Sequence, residues 1–232
     1  MPTFPMFAVP FHQTELPDCE PLNRELRALF LQREAEGHRW SNPTPSMAIN
    51  PGLYESRFDL FLWPDACVQA LHDFCMGNLL SLVAELNSYT IDDMRGLEMQ
   101  NHAWFHITRR GGRFGAHNHP LASWSGVYCV AAGEHDPGKK ESGMLHFLNP
   151  HMIGNMFKDA ANHRLPPLYG MGGRSFELKP GQLVLFPSWA YHEVLPFEGE
   201  GERITVAFNS WFRPRRSGPR PPGPPSPPPW GD

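Results

Sequence analysis

Two histidines one residue apart, His117 and His119, stand just ahead of the apolar run Ser125-Gly-Val-Tyr-Cys-Val130. In an extended chain the side chains at i and i+2 point to the same side, so both imidazoles can reach one point in space. A third histidine, His192, closes the segment Phe186-Pro-Ser-Trp-Ala-Tyr-His192 far downstream. Three neutral nitrogen ligands would occupy one face of an octahedral ion and leave the other positions open. Open positions are what oxygen activation needs, and the usual set is two histidines and a carboxylate. A lone His-x-His is more often a surface or outer-layer feature than a ligand pair. Here the setting of His192, with Arg203 eleven positions beyond it, favours the metal.

The segment Arg203-Ile-Thr-Val-Ala-Phe-Asn209 alternates strictly. As a strand it puts Arg203, Thr205, Ala207 and Asn209 on one face and Ile204, Val206 and Phe208 on the other. If the apolar face packs on helices, Arg203 and Thr205 point inward beside the metal. A guanidinium pairs bidentately with a carboxylate, and a threonine hydroxyl adds one more bond. A dicarboxylic keto acid fits such a pair, with its far carboxylate on Arg203 and its 2-oxo acid end on the metal. His106 and Trp104 can face inward together and line the same co-substrate pocket. Tyr128 can face either that pocket or the core. Asn118, Trp124 and the insertion 150–174 are the candidate substrate contacts.

These residues need a rigid frame, and the pattern of the chain supplies one. Residues 7–11 read as a short edge strand limited by Pro10. Asp18 to Glu36 reads as a helix, with Leu22, Leu26, Leu29 and Phe30 at helical spacing and Pro21 in the first turn. Residues 38–60, with Pro43, Pro45, Pro51 and Gly52, read as an irregular wrap. A second helix begins at Asp65 as its cap and buries Val68, Leu71, Cys75, Leu79, Leu82 and Leu86. From about Met99 short β-branched and aromatic runs alternate with Gly, Pro and Asn. Strands are expected near 100–108, 113–118, 125–132, 144–149, 175–179, 182–187, 191–196 and 203–212, which implies a sandwich or barrel. The expected organisation is a helical and irregular buttress over 1–98, a β core over 99–213 and a disordered Pro-rich tail over 214–232.

Composition narrows the function classes. The 232 residues are 41% hydrophobic, enough to bury a real core, and the net charge of −4 gives no reason to expect nucleic acid as a partner. The four cysteines, Cys19, Cys67, Cys75 and Cys129, are scattered without Cys-x-x-Cys spacing, so free thiols are expected rather than a disulfide framework. No signal peptide is apparent, and no apolar run approaches membrane-spanning length. A cytoplasmic protein that binds no membrane is the expectation.

The motifs together resemble those of the 2-oxoglutarate/Fe(II) oxygenases found in bacteria and phages. They are His117-Asn-His119-Pro120, Ser125-Gly-Val-Tyr128-Cys-Val130, Gly143-Met-Leu-His-Phe147-Leu-Asn-Pro150, Pro180-Gly-Gln-Leu-Val-Leu-Phe-Pro187-Ser-Trp189, His192 and Arg203-Ile-Thr-Val-Ala-Phe-Asn209. The resemblance covers about residues 100–212. It departs at Cys129, where a second tyrosine is usual, at Thr205, where serine is usual, and at Asn149-Pro-His151 in place of an acidic turn. It implies a mainly β fold, a double-stranded β-helix or jelly roll supported by N-terminal helices. It also implies His117, His119 and His192 as metal ligands, with His119 in the place a carboxylate usually holds. Arg203 and Thr205 become the co-substrate anchor, with Tyr128 and His106 beside them. The implied cofactors are Fe(II), 2-oxoglutarate and O2, with ascorbate as an optional reductant. The substrate would be a small molecule or a peptide; a homodimer is admissible, and the Pro-rich tail is a candidate for docking a partner. Hydroxylation with release of succinate and CO2 is the expected reaction. Two rivals are a three-histidine cupin-type dioxygenase that needs no 2-oxoglutarate, and a non-catalytic jelly-roll binding protein.

Overall fold

The computed structural model describes residues 3–46, 51–134, 138–150, 159–170 and 172–215. The Pro-rich tail beyond Arg215 and residues 151–158 of the expected substrate insertion lie outside the described residues.

The chain opens with strand β1 (His12–Glu15) and helix α1 (Glu20–Ala35), then strand β2 (Leu53–Glu55), helix α2 (Ala66–Asn87) and the short helix α3 (Ile91–Arg95). Eight further strands, making ten among the described residues, follow in the order β3 (Leu97–Thr108), β4 (Phe114–His117), β5 (Trp124–Ala131), β6 (Leu145–Phe147), β7 (Arg174–Phe176), β8 (Gln182–Pro187), β9 (His192–Val194) and β10 (Arg203–Pro214). They form two antiparallel sheets. The larger runs β1-β8-β5-β10-β3-β2 and the smaller β4-β9-β6-β7. This is a mainly β, jelly-roll arrangement of two facing sheets rather than a closed barrel.

The larger sheet is covered on both faces. On one, Leu26 and Phe30 of α1 and Leu71, Cys75 and Leu79 of α2 pack with Phe105, Ile107, Tyr128, Ile204, Val206 and Phe208. On the other, Cys129, Val184 and Phe186 pack with Leu145 and Phe147 of the smaller sheet. The longest ladder joins β10 to β3 from Arg203 opposite Thr108 to Pro214 opposite Leu97. Burying one leucine or phenylalanine side chain contributes about 1.5–3 kcal/mol, so these two layers dominate stability. Gly126 makes the close approach possible: a Cβ there would lie 2.2 Å from the Phe208 ring.

Several local expectations change. The first strand is His12–Glu15, not residues 7–11. Phe7 adopts a positive φ of 58°, outside the extended region, and Pro10 has no N–H to pair. Instead the Phe11 ring packs edge-on to Phe147 at 4.7 Å. The wrap over 38–60 contains β2, which is too short to show a period. Asp65 stands at the N-cap of α2, but its side chain makes no cap bond and lies 3.8 Å from Arg33 instead. Helix α2 is 22 residues long and apolar enough to cross a membrane by length and composition alone. This differs from the expectation that no apolar run approaches that length; Asp73 and Glu85 interrupt the apolar residues of α2 and hide its length as a run. Its buried face packs on the sheet. All four cysteines are free thiols, three of them buried.

Candidate active site

The site sits between the two sheets, in a cavity of about 370 Å3. The β4–β9 ladder places His117 directly opposite His192. A register shift between Phe114 and His117 re-aims the strand at this point, a common device beside functional groups. Strand β4 ends at His117, so His119 lies just past it, held by its backbone N–H to the Ser188 carbonyl at 2.8 Å. The three rings meet: the centroid of His117 is 4.4 Å from that of His192 and 5.0 Å from that of His119. One nitrogen from each of His117, His119 and His192 lies within 4.8 Å of the other two.

The protonation of these rings follows from their partners. His117 Nδ1–H donates to the Gly115 carbonyl at 2.8 Å, and His192 Nδ1–H donates to the Ala190 carbonyl at 2.9 Å. Each bond fixes the tautomer and leaves the Nε2 lone pair free for a metal. Burial, then the neighbouring His117, pushes His192 down to about 3 and His119 down to about 4. Burial also lowers His117. All three are therefore neutral at pH 7, the form that ligates. Three neutral imidazole nitrogens this close together are a donor set that fits a single divalent ion.

The anion side is built on β10. Arg203, Thr205, Ala207 and Asn209 line the cavity, while Ile204, Val206 and Phe208 enter the helix-side core. Arg203 is 6% exposed, and among the described residues no carboxylate pairs with it. Burial accordingly depresses its basicity. A buried guanidinium without a counter-charge is costly unless an anion arrives. Glycine is required behind it: Gly143 has φ 63°, and a Cβ there would lie 2.9 Å from Arg203 Cδ.

His106 lines the same cavity, opposite Thr205 on β10 and Glu55 on β2. Its Nε2 lies 2.8 Å from Glu55 Oε2 and 3.1 Å from Trp104 Nε1. One nitrogen cannot donate to the carboxylate and accept from the indole together. The shorter contact, to a buried carboxylate, is the stronger. Burial alone would raise Glu55, but the hydrogen bonds from His106 and Asn42 win and hold it below the usual carboxylate range. Sequence reasoning missed Glu55 and Asn42. Their only signal, two polar residues in an irregular stretch, had no period to place them.

Two expected contacts fall elsewhere. Tyr128 is buried on the helix side, where its hydroxyl donates to Asn23 Oδ1 at 2.8 Å, so it does not reach the co-substrate pocket. Trp124 packs against the same helix-side core and not on the cavity wall. Both share the strand parity of Gly126, where a Cβ would meet Phe208 and Leu185 of the helix-side core, while Ser125 and Val127 line the cavity. Asn118 does line the cavity, its Nδ2 donating to the Trp189 carbonyl at 3.4 Å.

Residues 102–209 match the model of a family described as "Putative 2OG-Fe(II) oxygenase". The chain carries a 2OG-Fe(II) oxygenase domain. Structural comparison agrees on the fold of this oxygenase. A Pseudomonas putida prolyl-4-hydroxylase is similar over 90% of this chain and 94% of its own, at 20% identity and a TM-score of 0.57. A Trichoplax adhaerens prolyl hydroxylase bound to a hypoxia inducible factor peptide fragment is similar over 87% and 83%, at 15% identity and a TM-score of 0.51. HygX from Streptomyces hygroscopicus with nickel, 2-oxoglutarate and hygromycin B is similar over 88% and 83%, at 11% identity and a TM-score of 0.54. No protein of curated function matches the sequence. The cofactors of the oxygenase are thus a divalent metal, 2-oxoglutarate and O2; the three-histidine cluster and buried Arg203, which has no carboxylate partner among the described residues, fit the first two.

Proposed function

We propose that this oxygenase hydroxylates a C–H bond of a small-molecule or peptide substrate, with 2-oxoglutarate consumed to succinate and CO2. The supporting observation is one cavity holding three neutral imidazoles and, on its β10 wall, a buried cation without an ion-pair partner among the described residues. In this reading His117, His119 and His192 hold the iron. Bound iron with the keto acid supplies the oxidising chemistry. The protein's own work is positioning. The Gly115 and Ala190 carbonyls fix the tautomers of His117 and His192. Arg203 and Thr205 hold the far carboxylate of 2-oxoglutarate, and Gly143 leaves room for the arginine stem. Glu55 orients His106 on the neighbouring strand, so that the imidazole forms part of the same wall. The apolar walls, Phe114, Leu145, Phe186 and Val194, exclude water from the reacting atoms.

Similar folds hold bound molecules of both kinds: a peptide fragment in the Trichoplax complex and hygromycin B in HygX. A dioxygenase without 2-oxoglutarate is disfavoured by the domain match. The deciding experiment is anaerobic titration of 2-oxoglutarate into the Fe(II)-loaded protein, read by the weak visible charge-transfer band of the chelate, followed by succinate release on admitting oxygen. Iron binding without a band, and without succinate, overturns the proposal.

A further inference from the structure

The cavity wall does not stop at the metal-ligand cluster. Strand β10 is buried at Arg203 and exposed at its far end, Arg213 and Pro214, and its cavity-side residues pass from buried Arg203 and Thr205 to half-buried Ala207, Asn209 and Trp211. Trp211, next after Asn209 on the inner face, sits edge-on to His102 at 5.0 Å. Phe58 tilts against Trp104 at 4.7 Å. His102, Trp104 and Phe58 all line the cavity, and Phe58 is 42% exposed. A row of rings therefore leads from the three histidines outward along β10. Beyond Arg215 the sequence continues for 17 residues that include eight prolines, in Pro219-Arg-Pro-Pro-Gly-Pro-Pro-Ser-Pro-Pro-Pro229.

Polyproline segments dock on aromatic-lined grooves because they are already extended and lose little entropy. The reach is sufficient. From Pro214 back to Asn209 is five strand residues, about 17 Å. Residues 219–232 span about 43 Å in polyproline geometry at about 3.1 Å per residue. Ser217-Gly218 has the composition of a reversing turn. Tethering gives such a segment an effective concentration of about millimolar, which an untethered competitor must match.

We propose that the Pro-rich segment 219–229 of this same chain docks on this aromatic row and is oxidised at a proline ring C–H. The inference rests on the oxygenase reading above. One ring C–H becomes C–OH. One atom of O2 enters the proline and the other enters succinate as 2-oxoglutarate loses CO2, so the electrons balance without another reductant.

The test uses the full chain. Fe(II) and 2-oxoglutarate are loaded anaerobically, the chelate band is recorded, oxygen is admitted, and proteolytic fragments are mapped by mass spectrometry. The expected result is one added oxygen per chain on a proline of 219–229, matched by one succinate, at a rate independent of protein concentration. A full-length variant with these prolines replaced by alanine should keep the band and lose succinate formation without added substrate by at least about tenfold. As a readout apart from turnover, Mn(II) in place of iron should broaden the NMR signals of the tail relative to Zn(II), and broaden them less in the alanine variant. A normal band with an unmodified, unbroadened tail overturns this inference and leaves the oxygenase reading standing. Oxygen found on Trp211 or Trp104 rather than on proline also overturns it, as misdirected self-oxidation. Absence of both band and succinate removes the oxygenase reading and this inference with it.

Discussion

Replacing Arg203 with methionine should move two properties in opposite directions. In the wild-type chain the guanidinium is 6% exposed and has no carboxylate partner among the described residues. Without 2-oxoglutarate it is a buried charge lacking compensation, so an apolar side chain of similar length should stabilise the protein by about 1–4 kcal/mol. For a chain of this size that is about 2–4 °C in Tm per kcal/mol. With 2-oxoglutarate the sign reverses. Losing one partner of a buried, bidentate ion pair costs about 3–5 kcal/mol, or roughly two to three and a half powers of ten in Kd. Thermal melts of the metal-loaded variant, with and without 2-oxoglutarate, read both effects, and the anaerobic chelate titration measures the affinity. Metal binding, carried by the histidines on the smaller sheet and the loop after β4, should be unchanged. The reasoning fails if 2-oxoglutarate affinity falls less than about threefold, or if the variant melts lower both with and without it.

Further outcomes follow from the same geometry. Gly143→Ala forces a left-handed conformation, worth about 1–2 kcal/mol, and pushes on Arg203 Cδ; urea unfolding should show the loss, and the 2-oxoglutarate KM should rise about tenfold. Tyr128→Phe removes the donor to Asn23 and should cost about 1–3 kcal/mol of stability while leaving the 2-oxoglutarate titration unchanged, because this ring lies on the helix side. For the metal-free protein the histidine cluster gives a pH dependence: His192 and His119 titrate near 3 and 4 when folded, below their ordinary 6.5. The unfolded chain therefore binds more protons across that window. Stability should be full above about pH 6.5 and fall as pH drops toward 3, and replacing His192 with glutamine should flatten the slope in calorimetric melts taken across that range.

The candidate site residues that the cavity brings together were largely legible because they carry period or setting. Alternation in 203–209 fixed that Arg203, Thr205 and Asn209 share a face, and the two-residue spacing of His117 and His119 allowed a shared target. The helices were equally readable, since α1 and α2 each bury one stripe, although Leu86, expected in the stripe of α2, is exposed in its last turn. Other features needed the assembled structure. Strand β5 is apolar at nearly every position because helices cover one face of its sheet and the smaller sheet covers the other. A strand buried on both sides shows no alternation, so nothing local could assign Tyr128 and Trp124 to the helix side. Glu55 meets His106 across 51 positions of sequence, through a three-residue strand too short to declare itself. Only the ladder between β4 and β9 brings His192 against His117, because which strands pair depends on how the layers stack, a long-range balance of burial that no single stretch of sequence encodes.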